Sequence, residues 1–132
     1  MKKINPFLKA SLTAALINGL LFGLGKISGI LSESIIIPNA KQPLTLPPVL
    51  FASIVAVIVA GVLLRVLSRF NKKPQIIFNT VALVLLVLSF ASPFSIPGIS
   101  ITMAIWMNVM HIVVAASILF FFETLKSKQN DK

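Results

Sequence analysis

Ser92-Pro93-Phe94-Ser95-Ile96-Pro97-Gly98 sits inside a run, Pro74 to Phe122, that contains no Asp, Glu, Lys or Arg. The run is far longer than the roughly 20 apolar residues that cross a bilayer as one helix, so it has to fold back on itself. The two prolines and the glycine supply the turn. Each proline lacks the N–H that a continuing helix needs, and glycine accepts the backbone angles of tight reversals. The segment therefore reads as a hairpin between two membrane-spanning helices, and this reading decides the fold.

The chain upstream is divided in the same way. There is no charge from Ala10 to Gly25, or from Gln42 to Leu64. The expectation is an all-α membrane protein, a four-transmembrane-helix bundle with N-in/C-in topology, forming a single domain over residues 1–132. The expected spans are 10–31, 48–70, 75–94 and 99–122, with an outside loop at 32–47. Composition agrees: the chain is 57% hydrophobic and 11% charged, with a mean hydropathy of +0.99. Soluble domains carry roughly 25% charged residues, and a soluble fold would lack the polar surface to cover this much apolar material.

Direction follows from the cations. Of the 12 Lys and Arg residues, ten (Lys2, Lys3, Lys9, Arg65, Arg69, Lys72, Lys73, Lys126, Lys128 and Lys132) fall on one side of such a bundle, and only Lys26 and Lys41 on the other. The positive-inside rule places the ten in the cytoplasm, with Arg65, Arg69, Lys72 and Lys73 setting topology and meeting lipid headgroups. Arg65 is expected to snorkel, with Arg69 one turn later on the same face. The formal charge of +9 is thus spread over segment ends and does not form the one-sided patch that nucleic-acid binding requires, so no nucleic-acid partner is expected. Met1-Lys2-Lys3 and the apolar run after it resemble a signal peptide, but Gly25-Lys26-Ile27-Ser28-Gly29 offers no small-x-small cleavage site, so helix 1 is expected to stay. There is no cysteine, which excludes thiol catalysis, disulfides and cysteine-bound metals.

Residues 32–47 contain Glu33, Asn39, Lys41, Gln42 and several prolines, and are expected to be irregular. Ile35-Ile36-Ile37 is too apolar for water and is expected on the membrane surface or capping the bundle. Pro47 and Pro48 suit the first turn of helix 2, where a missing N–H costs nothing.

In lipid, helices associate through close backbone approach. Ser11, Ala15, Gly19 and Gly23 on helix 1 and Ala52, Ala56 and Ala60 on helix 2 recur every four residues and are expected to form a tight contact. Phe7, Phe70 and Phe120 to Phe122 are expected as an aromatic belt at the inner boundary, and Phe51, Phe90 and Phe94 at the outer one. The single Trp106 falls too deep in helix 4 to serve as an anchor.

Polar side chains at membrane depth are functional candidates by default. His111 and Asn108 share a face of helix 4 with Ala104 and Ala115, and Asn18 and Asn79 could reach the same interior. Asn18, Asn79, Asn108 and His111 therefore form a candidate polar intramembrane cluster. As a site it would respond to protons or bind a ligand; as plain structure it would hold helices together through hydrogen bonds. A lone histidine without an acidic neighbour is a poor metal ligand set or general base, so no catalytic residue, metal or cofactor is expected.

Arg69-Phe70-Asn71-Lys72-Lys73-Pro74, the charge-free third helix ending at Ser92-Pro93, and Asn108-Val109-Met110-His111 together resemble a domain-of-unknown-function family of small four-span bacterial membrane proteins. The resemblance implies a bacterial inner membrane and this architecture, and it implies no activity. Small multidrug exporters fit less well, because their helix 1 glutamate has no counterpart beside Asn18. The expected function is a non-enzymatic bundle that associates with membrane lipids and with itself or an unidentified membrane partner. A small transporter or channel subunit with a polar path around His111 is the alternative. An intramembrane enzyme acting on a lipid-like substrate ranks last.

Overall fold

A computed structural model describes residues 5–130, and the side chains of residues 5–123 among them. The chain forms α1 (Pro6–Ile27), a short β1 (Ile36–Ile37) and β2 (Gln42–Pro43), α2 (Leu46–Phe70), α3 (Pro74–Ser89), α4 (Ala91–Phe94) and α5 (Ile101–Asn130). Among the described residues, four segments are long and apolar enough to cross a membrane: Pro6–Ile27, Leu46–Phe70, Pro74–Phe94 and Ile101–Glu123. The architecture is that of a multi-pass membrane protein. One end of the bundle holds the start of α1, the α2–α3 turn and the end of α5; the loop and the helical hairpin occupy the other.

Helix limits follow local chemistry. α1 begins four residues before the expected position, because the Asn5 side chain accepts from the Phe7 N–H at 3.0 Å and Pro6 fits the first turn. It also ends early. The Ser28 hydroxyl donates to the Leu24 carbonyl at 2.7 Å, and Gly29 turns the backbone to φ +75°, which ends a helix without a Cβ penalty. Pro47 lies in the first turn of α2, as the sequence suggests. The third span is broken. Pro93 has no N–H for the Ser89 carbonyl, and α3 stops at Ser89 before the short α4 continues. The Ser100 hydroxyl then caps α5 through the Met103 N–H at 3.1 Å.

The loop at 28–45 is more ordered than the prolines suggest. Ile36 pairs with Pro43 and Ile37 with Gln42 in a two-residue antiparallel hairpin, turned through Lys41 at φ 53°. Ile35 packs on the cluster that includes Phe22, Leu31, Val49 and Met103, so it caps the bundle, while Ile36 stays exposed. Glu33 lies beyond the end of α1, and the loop brings it back over Lys26 at 2.6 Å. The hydrogen bond and charge of Lys26 hold the Glu33 carboxyl below its ordinary pKa. This contact favours the folded loop above the ordinary glutamate range and is lost as pH falls through the lowered value.

The core has two apolar clusters stacked along the bundle. At the terminal end, Ala10, Ala14, Val57, Leu64, Phe78, Ile118 and Phe122 are buried together. Phe7 and Phe122 meet edge to face at 4.8 Å between ring centroids, and Phe78 lies beside Phe122 at 5.8 Å. Phe7 and Phe122 therefore leave the expected aromatic belt for the interior, whereas Phe51, Phe70, Phe94 and Phe120 remain exposed. Gly61 makes room for Phe7: a Cβ there would come within 2.7 Å of its ring. Towards the other end, the Trp106 indole N–H donates to the Leu21 carbonyl at 3.0 Å and joins α5 to α1. A Cβ on Gly25 would lie 2.7 Å from that indole nitrogen. The outer surfaces are apolar, as lipid requires; Leu8, Leu12, Leu16, Leu20 and Leu24 form one exposed stripe on α1.

Candidate functional site: a polar layer beside an apolar cavity

Asn18 lies near the middle of α1, between the two apolar clusters, and is 3% exposed. Its Nδ2 donates to the Ser53 hydroxyl on α2 at 2.9 Å and to the Met110 carbonyl on α5 at 3.2 Å. One side chain thus ties three helices. The Met110 carbonyl can only accept, so the amide nitrogen must face it, and this fixes the orientation of the amide. Ser53 in turn donates to the Val49 carbonyl at 2.9 Å. Asn18 Oδ1 is buried and has no partner.

This clamp sets the rotation of both helices. With Asn18 inward, the buried residues of α1 are Ala10, Ala14, Asn18, Phe22 and Gly25. With Ser53 inward, those of α2 are Val49, Ser53, Val57, Gly61 and Leu64. Both stripes are offset by one residue, about 100° around the helix, from the small-residue stripes in the sequence. A Cβ on Gly19 would meet Leu50 at 3.4 Å, but one on Gly23 would meet nothing within 4 Å, and Ala15 is only half-buried. Ala52, Ala56 and Ala60 line a cavity, and Ala60 also packs against the cluster that holds Ala10 and Ala14.

That cavity, about 620 Å³, lies between α2, α3 and α5, with Asn18 on its inner wall. On α2 the lining runs from Pro48 to Leu63, a rise of about 22 Å out of the roughly 30 Å of a bilayer's hydrocarbon. Its terminal end is floored by Phe78, the one buried residue of α3. Val59 and Leu85 line it and are exposed, so the cavity opens sideways through the lipid-facing surface. Among the described residues its only polar lining side chains are Asn18, Ser53, Ser89 and His111; the rest are apolar.

His111 is half-buried on the α5 wall. Its Nδ1 lies 2.9 Å from the Met107 carbonyl one turn earlier. A carbonyl only accepts, so Nδ1 carries the proton and donates, and in the neutral ring Nε2 is an acceptor. No residue among those described bonds to Nε2, and it is not among the buried unpartnered atoms, so no protein group closes it off.

The other two polar residues of the expected cluster lie elsewhere. Asn79 Oδ1 accepts from Gln75 Nε2 at 2.9 Å within α3, and Asn79 does not reach the cavity. Asn108 Nδ2 donates to the Phe90 carbonyl at 3.3 Å and so joins α5 to the α3–α4 break; its own Oδ1 is buried without a partner. Arg65, Arg69, Lys72 and Lys73 are all exposed at the terminal end. Among the described residues no group of three or more His, Asp or Glu could hold a metal ion. Ser53 and Ser89 are the site residues that the sequence reading passed over, although Ser53 is the one hydroxyl in the apolar run from Leu46 to Leu64.

The clamp can be weighed against the local bond of Asn79. Interhelical polar bonds in membranes contribute about 0.6 kcal/mol on average and up to about 1.7. Asn18→Leu should therefore lower unfolding stability in mixed micelles by about 1–2 kcal/mol, and Asn79→Leu by less than about 0.5 kcal/mol. Equal effects on denaturation midpoints would remove the clamp as the centre of the bundle.

A model of DUF6069, a family of unknown function, matches residues 4–127 of this chain. No curated protein and no solved structure matches it.

Proposed function

The chain belongs to this family of unknown function, which passes no activity to it, and from the geometry we propose that it is a non-enzymatic membrane protein that holds a long hydrocarbon chain of a membrane amphiphile between α2, α3 and α5. The observation that carries this reading is the cavity. Its volume of about 620 Å³ lies within the roughly 300–1,000 Å³ of small-molecule pockets, its lining is almost wholly apolar, and it opens onto lipid. The loose attachment of α3, with Phe78 as its one buried residue, gives an entering chain a side door. An ion or water path would need polar groups along its length, and Asn79 and Asn108 stand off the wall. For an enzyme the wall lacks a nucleophile paired with a base.

The same proposal includes a direction in the membrane. Lys9, Arg65, Arg69, Lys72 and Lys73 lie at the terminal end, which the positive-inside rule assigns to the cytoplasmic face of a plasma (inner) membrane. Because the chain has no cysteine, single-cysteine variants give a clean readout. Asn39→Cys should react with an impermeant maleimide added to intact cells, and Asn71→Cys should react only after lysis. The opposite pattern would reverse the topology.

Occupancy is tested by native mass spectrometry of protein released from mild detergent. The wild-type chain should retain one lipid, and Ala56→Phe, which places a ring in the cavity, should retain about tenfold less. Equal retention by the two would move the lipid elsewhere. A dimer dissociated by Ala56→Phe would make a second copy of the chain the occupant and overturn the reading.

A further inference from the structure

The cavity wall has a hydrogen-bonding polarity, and it points to the kind of amphiphile that fits. Every side-chain donor on the wall is already committed. Both N–H groups of Asn18 are taken by Ser53 and the Met110 carbonyl. The Ser53 hydroxyl donates to the Val49 carbonyl, and the Ser89 hydroxyl to the Leu86 carbonyl at 2.7 Å. The His111 Nδ1–H is spent on the Met107 carbonyl. The first turn of a helix ordinarily presents unbonded N–H groups, but at the α2 end of the cavity Pro47 and Pro48 have none to present. What is left is acceptors: the open Nε2 of His111, the remaining lone pairs of the two serine hydroxyls and, buried deeper, Asn18 Oδ1.

We infer that the cavity selects a neutral long-chain amphiphile bearing a hydrogen-bond donor, a long-chain alcohol in the simplest case, with its hydroxyl donating to His111 Nε2. This rests on the reading of the cavity as a hydrocarbon-chain site. An ether, an ester or an ionised carboxylate brings only acceptors to a wall of acceptors. The carboxylate would also give up its hydration at membrane depth, with no Lys or Arg among the described residues that line the cavity to offset it. A hydroxyl gains a partner that the apolar membrane interior denies it.

The experiment compares two probes of equal length on the purified protein in detergent: hexadecanol and hexadecyl methyl ether, each competing with a diazirine-bearing long-chain alcohol that photolabels the cavity. The wild-type protein should prefer the alcohol by roughly tenfold, the value of one hydrogen bond to an otherwise unpartnered group. In His111→Phe both probes should still compete, with the preference reduced to about one. Ala56→Phe should abolish labelling. Equal competition by alcohol and ether in the wild type would overturn the donor selectivity and leave the chain site standing. No saturable labelling of the wild type would instead remove the chain site itself. A tenfold preference that survives in His111→Phe would contradict the assignment of His111. The wild-type comparison decides the selectivity even if His111→Phe does not fold.

Discussion

One amide, that of Asn18, spends both of its N–H groups on two other helices, Ser53 of α2 and the Met110 carbonyl of α5. Most of the bundle's arrangement follows from that commitment. In lipid, apolar side chains gain nothing by leaving the tails for one another, so a single polar residue at depth carries disproportionate weight in fixing how a helix is turned. Turning Asn18 inward brings Ala10, Ala14 and Phe22 with it; turning Ser53 inward brings Val57 and Gly61. The terminal cluster around Phe78 and Phe122 and the opposite cluster around Phe22 and Met103 then form above and below the polar layer. The alanines left over on α2 line open space.

The number of spans and the place of the hairpin were legible in the residues, because lipid imposes them. A charge-free run has to be helical in the bilayer, and Pro93 breaks whatever helix contains it. Helix ends were less legible. They depend on single contacts, such as Asn5 with the Phe7 N–H or Ser28 with the Leu24 carbonyl, which hydropathy does not register. Helix rotation was less legible too. Small residues recur every four positions on neighbouring stripes of α1, and spacing alone does not say which stripe turns inward. The polar residue outweighs the glycines, and the packed stripe lies one position away.

The candidate cluster was legible in part. Asn18 and His111 do share one cavity, because Asn18 reaches the carbonyl of the residue just before His111. Asn79 and Asn108 share the chemistry and not the place. Asn79 has a partner one turn away on its own helix, and Asn108 donates to a carbonyl at the α3–α4 break. Composition could not separate these roles, since a local partner satisfies an amide as well as a distant one. The cavity itself was invisible in the sequence. It arises because α3 packs through little more than Phe78 and leaves the alanine face of α2 uncovered. From the same cause comes the donor-poor wall, on which each hydroxyl and ring N–H has turned back on its own helix.

The state of the Asn18 side-chain amide in isotope-labelled protein tests this account most directly. Nuclear magnetic resonance should find both amide protons protected from exchange with deuterated water, with a coupling across the hydrogen bond to the Met110 carbonyl. Asn39, exposed in the loop, provides the unprotected reference. Asn18 amide protons that exchange as fast as those of Asn39, with no coupling to Met110, would contradict it.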